Sequence, residues 1–184
     1  MMQIDKKDDE RSLIEAIISG DRRAMKDLYG RYSGYAMSVC RRYVADDEGV
    51  KDVMQDVFVS VLTHIKDFEY RNDGALKAWI TRIAVNRSLD YIKENNLLTS
   101  IDENMNLPDE EPDVNGVSMS VIQKMIEQLP TDLRVVFNLY VLEDKTHQEI
   151  ASMLNINTSS SVRRFQKARN LLAKMIHDYK EREI

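Results

Sequence analysis

The chain is poor in the residues that cross-link chains or interrupt helices: of 184 residues, one is cysteine, three are proline and six are glycine. A single cysteine excludes a disulfide within the chain and fits a reducing compartment. That residue, Cys40, lies in a helical pattern between Val39 and Arg41, which predicts a buried, inert thiol. The scarcity of proline and glycine leaves long stretches in which helices can run without a break.

Long apolar runs are also missing, although 43% of the residues are hydrophobic. No run is long enough to cross a bilayer, and residues 1–12 contain no apolar signal segment. The sequence therefore predicts a cytoplasmic protein with no membrane insertion.

The residue patterns of enzymes and metal sites are absent as well. The sequence contains neither a P-loop nor the glycine pattern of a dinucleotide-binding fold. Its three histidines, His64, His147 and His177, are isolated and have no metal-ligand spacing or cysteine companions. We therefore expect no catalytic residue, no metal site, no cofactor and no enzymatic activity.

Charge is divided unevenly along the chain, whose formal net charge is −5. Residues 99–120 contain six acids and no base, whereas residues 121–184 contain ten bases and eight acids. A negative net charge argues against nucleic-acid binding over the whole surface, so any DNA binding must be local.

Apolar residues repeat at helical spacing almost throughout, and strand-like alternation is absent, which predicts an all-α protein. Ser12 and Glu15 are spaced as a capping box for a first short helix. The periodicity disappears where acids, asparagine and proline take over. We therefore expect two small helical domains, 1–97 and 118–184, joined by a flexible acidic linker over 98–117.

The segment Thr146–Met175 has the layout of a helix-turn-helix. Thr146 and Glu149 form a capping box, and Asn155–Asn157 is a tight break before a second helix. That second helix has five cations with no acid between Ser152 and His177, as expected of a recognition helix in the major groove: Arg163, Arg164, Lys167, Arg169 and Lys174. The alternative is an ordinary helix pair whose cations favour the helix dipole.

Two further segments carry candidate binding residues. A polar and aromatic loop precedes a helix with cations on one face, a combination that suits single-stranded DNA. Trp79, within that helix, is either a core residue or a stacking platform. In the preceding helix, a wide apolar stripe leaves a polar side that contains Asp52, Gln55 and Asp56. They form either a docking face for a basic helical partner or a solvated face.

Taken together, these segments resemble the bacterial extracytoplasmic-function (ECF) sigma factors of the sigma-70 family. The stretches DVMQDVFVSVLTHIKDF and AWITRIAVNRSLDYIKEN resemble regions 2.2 and 2.4 of that family. EQLPTDLRVVFNLYVLEDKTHQEIASMLNIN and KARNLL resemble region 4. The resemblance extends from about Ala16 to Met175, and it lies in the order and spacing of the motifs.

The resemblance implies a promoter-recognition subunit of RNA polymerase, with three sets of site residues. The first domain would bind the clamp helices of core polymerase through Asp52, Gln55 and Asp56. It would capture the −10 element through Tyr70, Arg71, Asn72, Asp73, Arg82, Asn86 and Arg87. The second domain would sit on the polymerase flap and read the −35 element through Thr158, Ser159, Ser160, Arg163, Arg164, Lys167 and Arg169. The resemblance also implies a cognate anti-sigma factor, and a linker that crosses the nucleic-acid channel.

The sequence departs from the family pattern at two places. Ser161 takes a position that is usually apolar, and the cation of the recognition helix lies one residue further on, at Arg163. The loop from Phe68 to Trp79 is also a couple of residues longer than common forms. Two rival hypotheses remain: a dimeric helix-turn-helix regulator that binds duplex DNA alone, and a helical adaptor that binds only protein.

Overall fold

Helices and short turns make up the two ranges that the computed structural model describes, residues 6–98 and 112–182. Neither range contains a strand, so the predicted all-α class is confirmed. The described residues fall into two compact units that divide between Tyr91 and Ile92. Most of the predicted linker, 99–111, lies outside the described residues.

The first unit contains α1 (Lys6–Ile18), α2 (Arg22–Cys40), α3 (Asp47–His64), a 3-10 turn (Ile65–Asp67) and most of α4 (Ala75–Glu94). Apolar side chains at every third or fourth position of these helices are buried in one core, as an amphipathic pattern requires. They include Leu28, Val39, Val53, Val57, Val61, Leu76, Ile80 and Ala84.

Short polar side chains start α2 and α3. Asp21 accepts a hydrogen bond from the Arg23 amide at the start of α2 (2.7 Å), and Asp46 does the same for Gly49 at the start of α3 (2.5 Å). The first helix starts earlier than expected, because α1 already runs from Lys6. Glu15 pairs with Arg11 one turn before it (3.3 Å) instead of closing a capping box with Ser12.

The second unit contains α5 (Met119–Glu127), α6 (Thr131–Val141), α7 (His147–Leu154) and α8 (Thr158–Arg182). The predicted capping box of α7 is present, since Thr146 and Glu149 bond reciprocally. The predicted break is also present, because Asn155 is left-handed (φ 54°). The inward stripe of α8 packs on α5 and α6 through Met125, Leu129, Leu133, Ala168, Leu172 and Ile176.

Gly49 is closely packed against two side chains, and this generates a stability prediction. A Cβ there would lie 2.6 Å from Cζ of Tyr91 and 2.8 Å from Oδ2 of Asp46. Gly49→Ala should therefore lower the free energy of unfolding by about 1–3 kcal/mol. Gly34→Ala, in α2, is the matched control: its Cβ meets no described atom within 4 Å, so it should raise stability by about 0.5–1 kcal/mol. Urea unfolding followed by Trp79 fluorescence measures both, and equal stability of the two variants would contradict the prediction.

Candidate nucleic-acid interface

A cavity of about 530 Å³ lies beside the loop between the 3-10 turn and α4. The rings of Phe68 and Trp79 pack at 5.2 Å with their planes 46° apart, and both line the cavity. Trp79 is half-buried, so it belongs to the packed unit and also presents a face to the cavity. The other lining residues are Asp67, Glu69, Arg71, Ala75, Ala78 and Arg82.

The loop over residues 70–73 is held by its own polar groups. The Tyr70 hydroxyl donates to Asp73 (2.7 Å), and this bond raises the pKa of Tyr70 to about 12. Arg71 pairs with Glu69 (3.1 Å), and the Asn72 carbonyl accepts from the Ala75 amide (3.1 Å). Of the four residues predicted here, only Arg71 lines the cavity. The acids Asp67 and Glu69 have no recognisable pattern in the sequence, because their place beside the cavity depends on how the loop folds back.

The cations of α4 separate into different environments. Arg82 is exposed and lines the cavity, and Asn86 is exposed one turn further on. Arg87 is half-buried instead, near Asp90 (3.4 Å) and the Ser60 hydroxyl of α3 (3.5 Å). The structure therefore brings Arg82 to the cavity and turns Arg87 toward α3.

The polar side of α3 is exposed in one continuous face. Asp52, Gln55 and Asp56 are all exposed, and Val59, one turn beyond Asp56, is 64% exposed. These positions follow the helical spacing of one surface. The sequence analysis does not include Val59 in this face, because the candidates there are polar residues. The face combines two carboxylates with an exposed apolar side chain.

The start of α8 presents small polar groups to solvent. Asn157 caps the helix: its side chain accepts from the Ser160 amide and the Ser159 hydroxyl, both at 2.7 Å. Thr158, Ser159 and Arg163 are exposed, and Ser160 is half-buried. These four predicted residues lie within the first two turns of the helix.

The remaining predicted cations of α8 lie closer to the interior. Lys167 is only 8% exposed, and Arg164 and Arg169 are half-buried. Asp132, at the start of α6, is buried, and burial raises its pKa while the positive charges of Arg164 and Lys167 offset part of that increase. The cations of α8 therefore divide between a solvent side and a side that interacts with a buried acid.

A polar and aromatic cluster joins α7 to α6 and α8. Ser161 is fully buried (0% exposed), and its hydroxyl lies 3.0 Å from Nδ1 of His147. The His147 ring stacks on Tyr140 (4.6 Å, 19°) and meets Phe165 edge-on (5.7 Å, 60°). Folding brings Ser161 and Phe165 to His147 from 14 and 18 residues away, and the spacing along the sequence does not indicate these contacts.

Comparison with known proteins identifies the family. Residues 28–97 match the family model of sigma-70 region 2, and residues 119–172 match that of sigma-70 region 4. The sequence is 26% identical to the ECF RNA polymerase sigma-E factor of Haemophilus influenzae, over 91% of this chain and 95% of that protein. It is 27% identical to the ECF RNA polymerase sigma-E factor of Escherichia coli K12, over 87% of this chain and 90% of that protein. The chain is an ECF sigma factor of the sigma-70 family.

The family membership defines what this sigma factor does. It directs promoter-specific initiation by RNA polymerase, so polymerase and promoter DNA are its partners. The region 2 match contains the α3 face and the cavity, and the region 4 match contains the first turns of α8. A solved structure of CnrH in complex with the cytosolic domain of CnrY is also similar, with a TM-score of 0.47 and 22% identity over 91% of this chain and 97% of that chain. Within residues 6–98 and 112–182 of the sigma factor, no helix is long and apolar enough to cross a membrane.

The environment of His147 predicts a pH dependence of stability. Burial lowers the pKa of His147 from its ordinary value of 6.5. As the pH falls below about 6.5, the unfolded chain therefore takes up a proton more readily than the folded unit, and stability decreases. The contribution of His147 to the free energy of unfolding is therefore fully present above about pH 6.5 and is lost as the pH falls. His147→Asn should show a smaller decrease between pH 7.5 and 5.5 in urea unfolding followed by the NMR amide signals of α7 and α8. An equal decrease in both proteins would contradict this prediction.

Proposed function

We propose that this sigma factor works through three separate surfaces, carried by domains 1–97 and 118–184. The exposed face of α3 binds the clamp helices of core polymerase. The cavity beside Trp79 holds an extruded base of the −10 element. The first turns of α8 read the −35 element in duplex DNA. The strongest support is the cavity, because an open pocket with an aromatic wall and two arginines lies within the region 2 match.

Charge and shape support the α3 face as the polymerase contact. Asp52 and Asp56 place two carboxylates one turn apart, and Val59 adds an exposed apolar group beside them. Carboxylates at the rim of an interface steer a basic partner, and a desolvated apolar side chain contributes affinity. Gln55 lies between the two acids, and its side-chain amide can donate a hydrogen bond to an acidic group or accept one from a basic group of the partner.

The chemistry of the cavity suits an unstacked base. A base removed from the stack needs a ring to pack against and polar groups for its edges. Phe68 and Trp79 supply the rings, Arg71 and Arg82 supply donors, and Asp67 and Glu69 supply acceptors. Tyr70, Asn72, Asp73 and Asn86 lie around this site and would contact the neighbouring nucleotides, with Arg87 near the strand.

The solvent exposure of side chains in the first turns of α8 supports the proposal that these turns contact the −35 element. In a helix-turn-helix the N-terminal residues of the second helix contact base edges. Thr158, Ser159, Ser160 and Arg163 occupy those positions, and Arg164 and Arg169 are near enough to the surface to reach phosphates. For Lys167 we propose that its position beside Asp132 mainly supports the helix, with a lesser share in DNA binding. The contacts with the flap, the polymerase channel and an anti-sigma factor stay predictions from the resemblance.

Reversal of charge on α3 tests the polymerase contact. Asp56→Lys should weaken binding of the full-length protein to purified core polymerase by roughly tenfold, because a like charge then faces a basic partner. Fluorescence anisotropy with labelled protein measures the affinity. Glu15→Lys is the matched control, since Glu15 is an exposed acid of α1 outside the proposed face. Equal weakening by both variants would contradict the assignment to α3.

Two arginine variants separate the proposed DNA contacts. With a promoter mapped from transcription start sites, Arg163→Ala should weaken holoenzyme binding to the duplex and reduce its salt slope by about one. Arg82→Ala should leave that binding close to wild type and reduce promoter opening, measured by permanganate reactivity of the −10 thymines.

Arg182→Ala serves as the control for Arg163→Ala, because it lies about 28 Å further along α8 at 1.5 Å per residue. If Arg82→Ala and Arg163→Ala impair the same step, the proposal that the two units contact different promoter elements is wrong. It also fails if Arg182→Ala weakens the duplex complex as much as Arg163→Ala does.

A further inference from the structure

The contact between His147 and Ser161 is a hydrogen bond within the polar and aromatic cluster that joins α7 to α6 and α8. Ser161 is fully buried, and its hydroxyl reaches across from α8 to the first residue of α7. A serine within a helix can bond to the carbonyl one turn earlier in its own helix. Here the partner belongs to another helix, so the bond relates two elements to each other. A buried hydrogen-bonded pair has a narrow range of good geometries, whereas an apolar contact tolerates sliding.

Aromatic rings hold the His147 side of this bond in place. Tyr140 of α6 stacks on the imidazole, and Phe165 of α8 covers its edge. Phe165 also contacts Tyr140 (4.4 Å) and Phe137 (6.0 Å). The imidazole, which belongs to α7, therefore contacts both α6 and α8, and its Nδ1 lies beside the Ser161 hydroxyl.

The helical geometry of α8 links this cluster to the exposed side of the same helix. Ser161 and Phe165 are one turn apart and face His147 together. Ser159 and Arg163, two positions before and after Ser161, lie on the other side of the same two turns and are exposed. A rotation of α8 that changed the His147–Ser161 distance would move these exposed side chains by a comparable amount.

We infer that His147 and Ser161 are positioning residues for the recognition helix, and that their hydrogen bond sets which side chains of α8 face the −35 element. The inference rests on the proposed reading of that element by α8. Neither residue touches DNA in this role. Selectivity among −35 sequences depends on the pair because it fixes the rotation of the helix that makes the contacts.

The test uses core polymerase loaded with the full-length protein and a duplex library randomised over the −35 element, upstream of a fixed −10 element. His147→Asn and His147→Gln are matched variants: the Asn amide reaches the position of Nδ1, and the Gln amide reaches that of Nε2. His147→Gln should reduce the affinity ratio of selected to scrambled −35 sequences by about tenfold, as expected for loss of one buried hydrogen bond. His147→Asn should recover most of that ratio.

Ser161→Val supplies a second, independent variant, because valine removes the hydroxyl and leaves the buried position occupied by an apolar side chain. It should reduce −35 selectivity as His147→Gln does, and the double variant should be no worse than either single one. Binding of a single-stranded −10 oligonucleotide by the holoenzyme should stay unchanged in every variant.

Wild-type −35 preference in both His147→Gln and Ser161→Val would overturn the positioning role. Equal losses of −35 and −10 binding would also overturn it, since they indicate general unfolding. A wild-type protein that selects no −35 sequence at all would instead overturn the proposed function of α8.

Discussion

Burial of the apolar stripes that run along the helices decides which polar side chains of α3 and α8 face the solvent. In α3, Val53, Val57 and Val61 are buried, so the carboxylates of Asp52 and Asp56 must face outward. The same constraint acts in α8, where Ala168, Leu172 and Ile176 pack inward. The proposed binding surfaces of α3 and α8 therefore lie opposite a packed stripe, and helical spacing determines both sides of each helix.

The polar groups that do not reach the surface have a different role. Lys167 lies inside the second unit, where its charge acts on buried Asp132, and Ser161 bonds to His147. Buried polar groups need partners, and partners with directional bonds restrict how helices pack. The second unit therefore contains polar contacts between α8 and both α6 and α7, and these orient the helix whose exposed end faces DNA in our proposal.

The cavity beside Trp79 is intermediate between core and surface. Its aromatic wall belongs to the packed unit, and its rim consists of charged side chains from a loop and from α4. Trp79 is half-buried, packs on Phe68 and lines the cavity, so the same ring belongs to the packed unit and to the cavity wall. The packing on Phe68 agrees with the interpretation of Trp79 as a core residue, and stacking of a base on its ring stays a prediction.

The sequence alone determined the helical class, the capping box of α7, the left-handed break at Asn155 and the family, because these depend on local spacing and on motif order. It also identified α3 and α8 as candidate binding helices. Only the tertiary structure decided that Asp67 and Glu69 line a cavity, that Lys167 is buried and that Ser161 meets His147. Those outcomes depend on how a loop folds back and on the rotation of one helix against another, and neither is encoded in the period of a single helix.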